Sequence, residues 1–108
     1  VNEQAHRIAL DALGDANRRA IVEILGGGAQ SVRQIAEQLP VSRPAVSRHL
    51  RLLKDAGLVS EEPDGTRRIY QLSGAGVEAI KDYFAEVWGQ AATRFRIVAE
   101  NTTPEPGE

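Results

Sequence analysis

Two helix-start signals flank a single proline in the stretch SVRQIAEQLPVSRPAVSRHLRLLKDAGLV, residues 31–59. Ser31 followed by Gln34 is a capping-box pattern, in which each residue satisfies a backbone N–H at the start of a helix. Val32, Ile35, Ala36 and Leu39 then recur at helical spacing, and Pro40 closes the segment. Ser42 is a second good N-cap, with Val41 placed to staple onto Val46 and fix the angle of the next helix. Two helices joined by so short a turn are a helix-turn-helix candidate, and few folds accommodate one.

On a helical wheel residues 42–56 divide into two arcs. Ala45, Val46, His49, Leu50, Leu52, Leu53 and Ala56 share one side, while Arg43, Pro44, Ser47, Arg48, Arg51 and Lys54 share the other. The cations form an outward ridge without an acid among them, and Gly57 is placed to end the helix in the left-handed conformation. A row of outward cations is also what an ordinary solvated helix face shows. Here the capped turn before it and a basic hairpin after it point to nucleic acid. That hairpin is LVSEEPDGTRRIYQL, with Asp64-Gly65 between β-formers and Arg67 and Arg68 near its tip.

Around this centre, Ala5, Ile8, Ala9, Ala12 and Leu13 predict a first amphipathic helix ending near Gly14. Asp15 can cap a second, which carries Ala20, Ile21, Ile24 and Leu25 and stops at the run Gly26-Gly27-Gly28. From about Ala75, the residues Val77, Ile80, Phe84, Val87, Ala91, Phe95 and Val98 outline a last helix, with Tyr83, Trp88 and Ala92 widening its apolar stripe. That stripe exceeds what a small domain covers by itself, so a second chain is the expected cover. The expected fold is mainly α with a small β-hairpin, about five helices plus a two-stranded wing at 58–72. One domain spans 1–98, and the polar, Pro/Gly-rich tail 99–108 is expected to be disordered.

Composition narrows the function. The 108 residues carry a net charge of −2, which argues against a chain that coats nucleic acid by bulk charge. Distribution matters more: Arg33, Arg43, Arg48, Arg51, Lys54, Arg67 and Arg68 are grouped, while the segment from Glu78 to Glu86 and the tail are acidic. With no cysteine there is no disulfide framework or thiolate metal site, and no apolar run approaches the roughly 20 residues that span a bilayer. A cytoplasmic protein is the simplest expectation. No nucleophile–base pair, P-loop or dinucleotide fingerprint is present, so an enzyme is not expected, nor is a cofactor.

A helix bearing arginines and a hydroxyl suits a major groove about 12 Å wide, where arginine pairs with guanine O6 and N7. The sequence SRPAVSRHLRLLKDAGLV followed by GTRRIYQL resembles the recognition helix and wing of the ArsR (arsenical-resistance repressor) family of bacterial winged-helix regulators. The resemblance runs from about Ala5 to Phe95. It implies a homodimer assembled through the first and last helices, with Ile8, Ala12, Phe84, Val87, Trp88, Ala91 and Phe95 at the interface. It also implies binding to a palindromic operator, repression of transcription, with autoregulation as one form of it, and association with the bacterial nucleoid through that operator. In this reading Arg43, Ser47, Arg48 and Arg51 enter the major groove, Ser42 and Lys54 hold phosphates, and Arg67 and Arg68 anchor the wing.

The family's metal sensors carry a Cys-x-Cys-type motif on the third helix, where this chain has SVRQIAEQL, and others place His and acidic ligands on the last helix. With no cysteine and only His6 and His49, neither ligand set carries over, and no metal site is expected. Glu78, Asp82 and Glu86 share one helix face but lack an imidazole partner, so a solvated face is the expectation. His49 points toward the apolar arc and is expected to be structural. Glu61 and Glu62 should lie away from phosphate or pair with the wing arginines. Two alternatives stand beside the repressor: a winged-helix module that binds an acidic protein, and a repressor controlled by an unidentified small-molecule or protein effector at the dimer interface.

Overall fold

A computed structural model of the chain describes the backbone of residues 3–102 and the side chains of residues 4–97. In chain order the described elements are α1 (Glu3–Ala12), α2 (Ala16–Gly26), β1 (Gln30–Ser31), α3 (Val32–Ala36), α4 (Arg43–Asp55), β2 (Val59–Asp64), β3 (Arg67–Leu72) and α5 (Gly74–Thr102). The strands form one antiparallel sheet in the order β1-β3-β2.

Local chemistry sets the helix boundaries. Asp15 accepts from the Asn17 and Arg18 amides at 2.8 and 3.0 Å and starts α2. Ser31 and Gln34 complete the capping box of α3, each side chain bonded to the other's backbone N–H at 3.2 and 2.8 Å. α3 ends sooner than its apolar spacing suggests. After Ala36 the chain winds down through i→i+3 bonds, Gln38 N to Ile35 O and Leu39 N to Ala36 O, because Pro40 steers the residue before it out of the helical region. Ser42 Oγ then accepts from the Ala45 amide at 3.3 Å and begins α4. Gly57, at φ +81°, ends that helix in the left-handed conformation, and Leu58 N donates back to Leu53 O at 2.9 Å.

Ile21, Ile35, Val46, Leu50 and Leu53 are completely enclosed and define the centre of the core, with Ala9, Leu25, Leu58 and Val59 around them. The core thus lies where α1 to α4 meet the base of the hairpin. Three of its five central side chains come from one face of α4, which fixes that helix in rotation. Leu52 departs from the wheel reading and is 49% exposed. It sits at the rim of the apolar arc, beside Arg48, where a small core does not reach. Ala12, expected at a dimer interface, is instead buried within the chain's own core, so its methyl group offers little to a partner.

The sheet gains a strand that the alternation pattern does not reveal. β1 is only two residues long, too short for any period-2 signal, and pairs Gln30 with Tyr70 and Ser31 with Ile69. Since Ser31 is also the N-cap of α3, the sheet is joined directly to the start of the helix-turn-helix. At the other end of the chain α5 continues past residue 98 to Thr102. No helix breaker intervenes before Pro104. The remaining tail, 103–108, lies outside the described residues.

Candidate nucleic-acid interface

With Val46, Leu50 and Leu53 buried, the opposite face of α4 projects outward. Arg43, Ser47, Arg48, Arg51 and Lys54 are all exposed on it, as is Ser42 at its start. Ser42 uses a lone pair of its hydroxyl for the cap and keeps its O–H free to donate. Among the described residues no acid forms an ion pair with Arg43, Arg48 or Arg51. These three guanidiniums are fully available to an external anion.

The remaining cations are engaged. Lys54 Nζ lies 2.6 Å from Glu61 Oε1, and Arg68 Nη1 lies 3.6 Å from the same oxygen. Arg67 Nη2 pairs with Asp64 Oδ2 at 2.8 Å beside the hairpin turn. The expectation that Glu61 pairs with a wing arginine holds for Arg68. Its bond to Lys54 was not foreseen, because the two residues are joined only through the turn at Gly57. Strand parity supplied the missing signal: Glu61 lies two residues after buried Val59, on the face directed toward α4. The Lys54 bond, then a hydrogen bond from Tyr70, holds the Glu61 carboxyl below its ordinary range. Burial, together with that same bond, raises the Tyr70 phenol.

Ser47, Arg51, Lys54, Glu61, Arg68 and Tyr70 line a cleft of about 320 Å³ between α4 and the hairpin. α4 and the hairpin therefore border one continuous surface. His49 stands apart from it. The ring is half-buried, with Nδ1 3.4 Å from Arg18 Nη1, while Arg18 Nε donates to Ala12 O at 2.6 Å. His49 thus faces the α1–α2 junction rather than the ridge.

On α5, Phe84, Val87, Trp88, Ala91 and Phe95 are all exposed, with Trp88 at 65% and Phe95 at 75%, and Ile8 of α1 is exposed as well. Of Glu78, Asp82 and Glu86 on this helix, Glu78 pairs with Lys81 at 3.5 Å. Among the described residues no helix is long and apolar enough to cross a membrane.

A fixed helix with free arginines, a preceding capped helix and a hairpin beside them define a winged helix-turn-helix transcriptional regulator. Residues 15–61 match the model of the bacterial regulatory protein arsR family. An HTH-type transcriptional regulator of Mycobacterium tuberculosis, Rv2034, is 49% identical over 87 residues, covering 81% of each chain. The chain belongs to the ArsR family. Its backbone is similar to an ArsR-like transcriptional regulator from Rhodococcus sp. RHA1, with a TM-score of 0.77 at 26% identity, over 94% of this chain and 96% of that one. It is also similar to the homodimeric winged helix-turn-helix DNA-binding domain of a possible ArsR-family regulator from Mycobacterium bovis. There the TM-score is 0.66 at 26% identity, over 94% of this chain and 88% of the other.

Proposed function

We propose that the chain acts in the cytoplasm as a homodimeric repressor that binds a two-fold symmetric operator in duplex DNA. The observation that carries this reading is the set of unpaired guanidiniums of Arg43, Arg48 and Arg51 on a helix whose other face is locked into the core. Arg48, Arg51 and Ser47 reach base edges in the major groove. Arg43 enters the groove beside them, Ser42, at the helix start, approaches a flanking phosphate, and Arg67, whose pair with Asp64 is exposed on both sides, exchanges that partner for the backbone beside the wing. An arginine that reads guanine bidentately must not be held by a neighbouring carboxylate, and the three ridge arginines meet that condition.

Dimerisation places Ile8, Phe84, Val87, Trp88, Ala91 and Phe95 against the same residues of a second copy. This reading is supported by their exposure and by the homodimeric state of the Mycobacterium bovis domain. A two-fold dimer reads two half-sites about 34 Å apart, one turn of B-DNA. Selection of duplexes from a random pool, followed by footprinting, tests the proposal. The expected result is an inverted repeat with protection on one face of the duplex at that spacing. Recovery of no common sequence would count against an operator-binding regulator and favour the acidic-protein module.

A further inference from the structure

We propose that Glu61 is a specificity-setting residue of the DNA interface: it withholds Lys54 and Arg68 from phosphate and fixes the wing against the reading helix. The inference rests on the DNA-binding reading above. Its starting point is an unusual sign of charge. Two carboxylates, Asp55 and Glu61, line the cleft between α4 and the wing, the surface that would face a polyanion, and Glu61 is the one that pairs with its cations.

The placement follows from strand geometry. Glu61 pairs directly across the hairpin with Tyr70, and Arg68 is two residues along β3 on the same face. That register brings the phenol and the guanidinium to the carboxylate, while the end of α4 brings Lys54 to it at 2.6 Å. The acid is less exposed than either cation: its side chain is 17% accessible, against 49% for Lys54 and 62% for Arg68. Glu61 is therefore the hub, with the two cations reaching inward to it. Tyr70 also pairs with Gln30 of β1, next to the cap of α3. One carboxylate thus links the wing to α4 directly, and its cross-strand partner links the wing to α3.

Stability alone does not account for such a group, since ion pairs with exposed partners contribute little. Binding offers a better account. Free lysines and arginines raise affinity for every sequence alike, through counterion release, and so lower discrimination. A neutralised Lys54 and Arg68 leave the ridge arginines, which read bases, as the dominant cations of the surface.

The test compares the wild-type chain with Glu61→Gln on two duplexes over a series of salt concentrations. One duplex is the sequence that the wild type selects from a random pool, and the other is of scrambled sequence. Each cation released to a phosphate steepens the dependence of log K on log salt by about 0.9. At about 0.1 M salt that corresponds to roughly eight-fold in affinity per contact. Glu61→Gln is expected to bind the scrambled duplex roughly eight-fold tighter or more, with a steeper slope and a smaller ratio of selected to scrambled affinity. An unchanged slope and ratio would overturn the role of Glu61 while leaving the DNA reading in place. Wild-type binding that ignores salt and sequence would overturn the DNA reading itself, and this role with it.

Should Glu61→Gln fail to fold, Lys54→Gln decides the matter. A lysine already held by Glu61 leaves the wild-type slope unchanged when it is removed. A slope shallower by about 0.9 would show Lys54 to be a free phosphate ligand and overturn the proposal.

Discussion

A Cβ on Gly76 would stand 2.0 Å from the carbonyl oxygen of Gly57. The first turn of α5 therefore rests on the backbone that ends α4, with no room for a side chain between them. Ser73 reinforces the contact: its amide donates to Leu58 O at 2.9 Å, and its hydroxyl accepts from the Gly76 amide at 3.3 Å. The helix that carries the exposed apolar face is thus seated directly on the end of the helix that carries the ridge arginines.

Gly76→Ala must push backbone against backbone. Overpacking of this kind costs about 1–3 kcal/mol, and in a domain of this size each kcal/mol lowers the melting temperature by roughly 4–8 °C. Thermal unfolding followed by circular dichroism is expected to show that decrease. An unchanged midpoint would mean that α5 does not sit on Gly57.

Asp15 provides a pH-dependent contribution with a defined sign. Hydrogen bonds from the Arg18 amide, and then from Asn17, hold its carboxyl below the ordinary value of 3.8. A carboxylate with a lowered folded pKa stabilises the fold fully above the unfolded value and loses that contribution as pH falls through the folded value. Asn is an equally good N-cap and does not titrate. Asp15→Asn is therefore expected to lose less stability than the wild type in urea unfolding between neutral pH and the region below 3.8. Parallel losses in the two proteins would remove Asp15 from the acid response.

The exposed apolar face of α5 predicts an oligomeric state. A glutamate in place of Trp88 or Phe95 would be buried without a partner in a dimer, yet faces solvent in a monomer. Sedimentation or light scattering is expected to give twice the chain mass for the wild type and a single chain mass for Trp88→Glu and Phe95→Glu. Helical circular dichroism should be retained by both variants. Dimers in both would place the interface elsewhere.

How far these features were legible in the sequence depends on the range of the physics behind each. Caps act over three residues, so Asp15, Ser31 and Ser42 were readable from their neighbours alone. The ridge on α4 was equally plain, because helical periodicity sorts Arg43, Arg48 and Arg51 from Val46, Leu50 and Leu53 without any knowledge of the partner elements. Features set by tertiary contact were hidden. Leu52 and Ala12 have the same apolar character as their neighbours, and only the extent of the core decides that one is exposed and the other enclosed. β1 is defined by its partner β3 rather than by its own two residues. Strand parity turns Glu61 toward α4, but the Lys54–Glu61 pair also depends on the angle at which the hairpin leaves Gly57, which parity does not specify.

The most direct test of the account is operator binding by the wild type and by the double variant Arg48→Ala, Arg51→Ala, measured on the selected duplex at several salt concentrations. Both arginines are exposed and outside the core, so the variant is expected to keep its fold, with stability changed by about 0.5 kcal/mol or less per site. The account predicts specific, salt-sensitive binding by the wild type and its loss in the folded variant, with only weak sequence-independent binding remaining. A folded variant that still distinguished the selected duplex from a scrambled one as well as the wild type does would show that the ridge of α4 is not the reading surface.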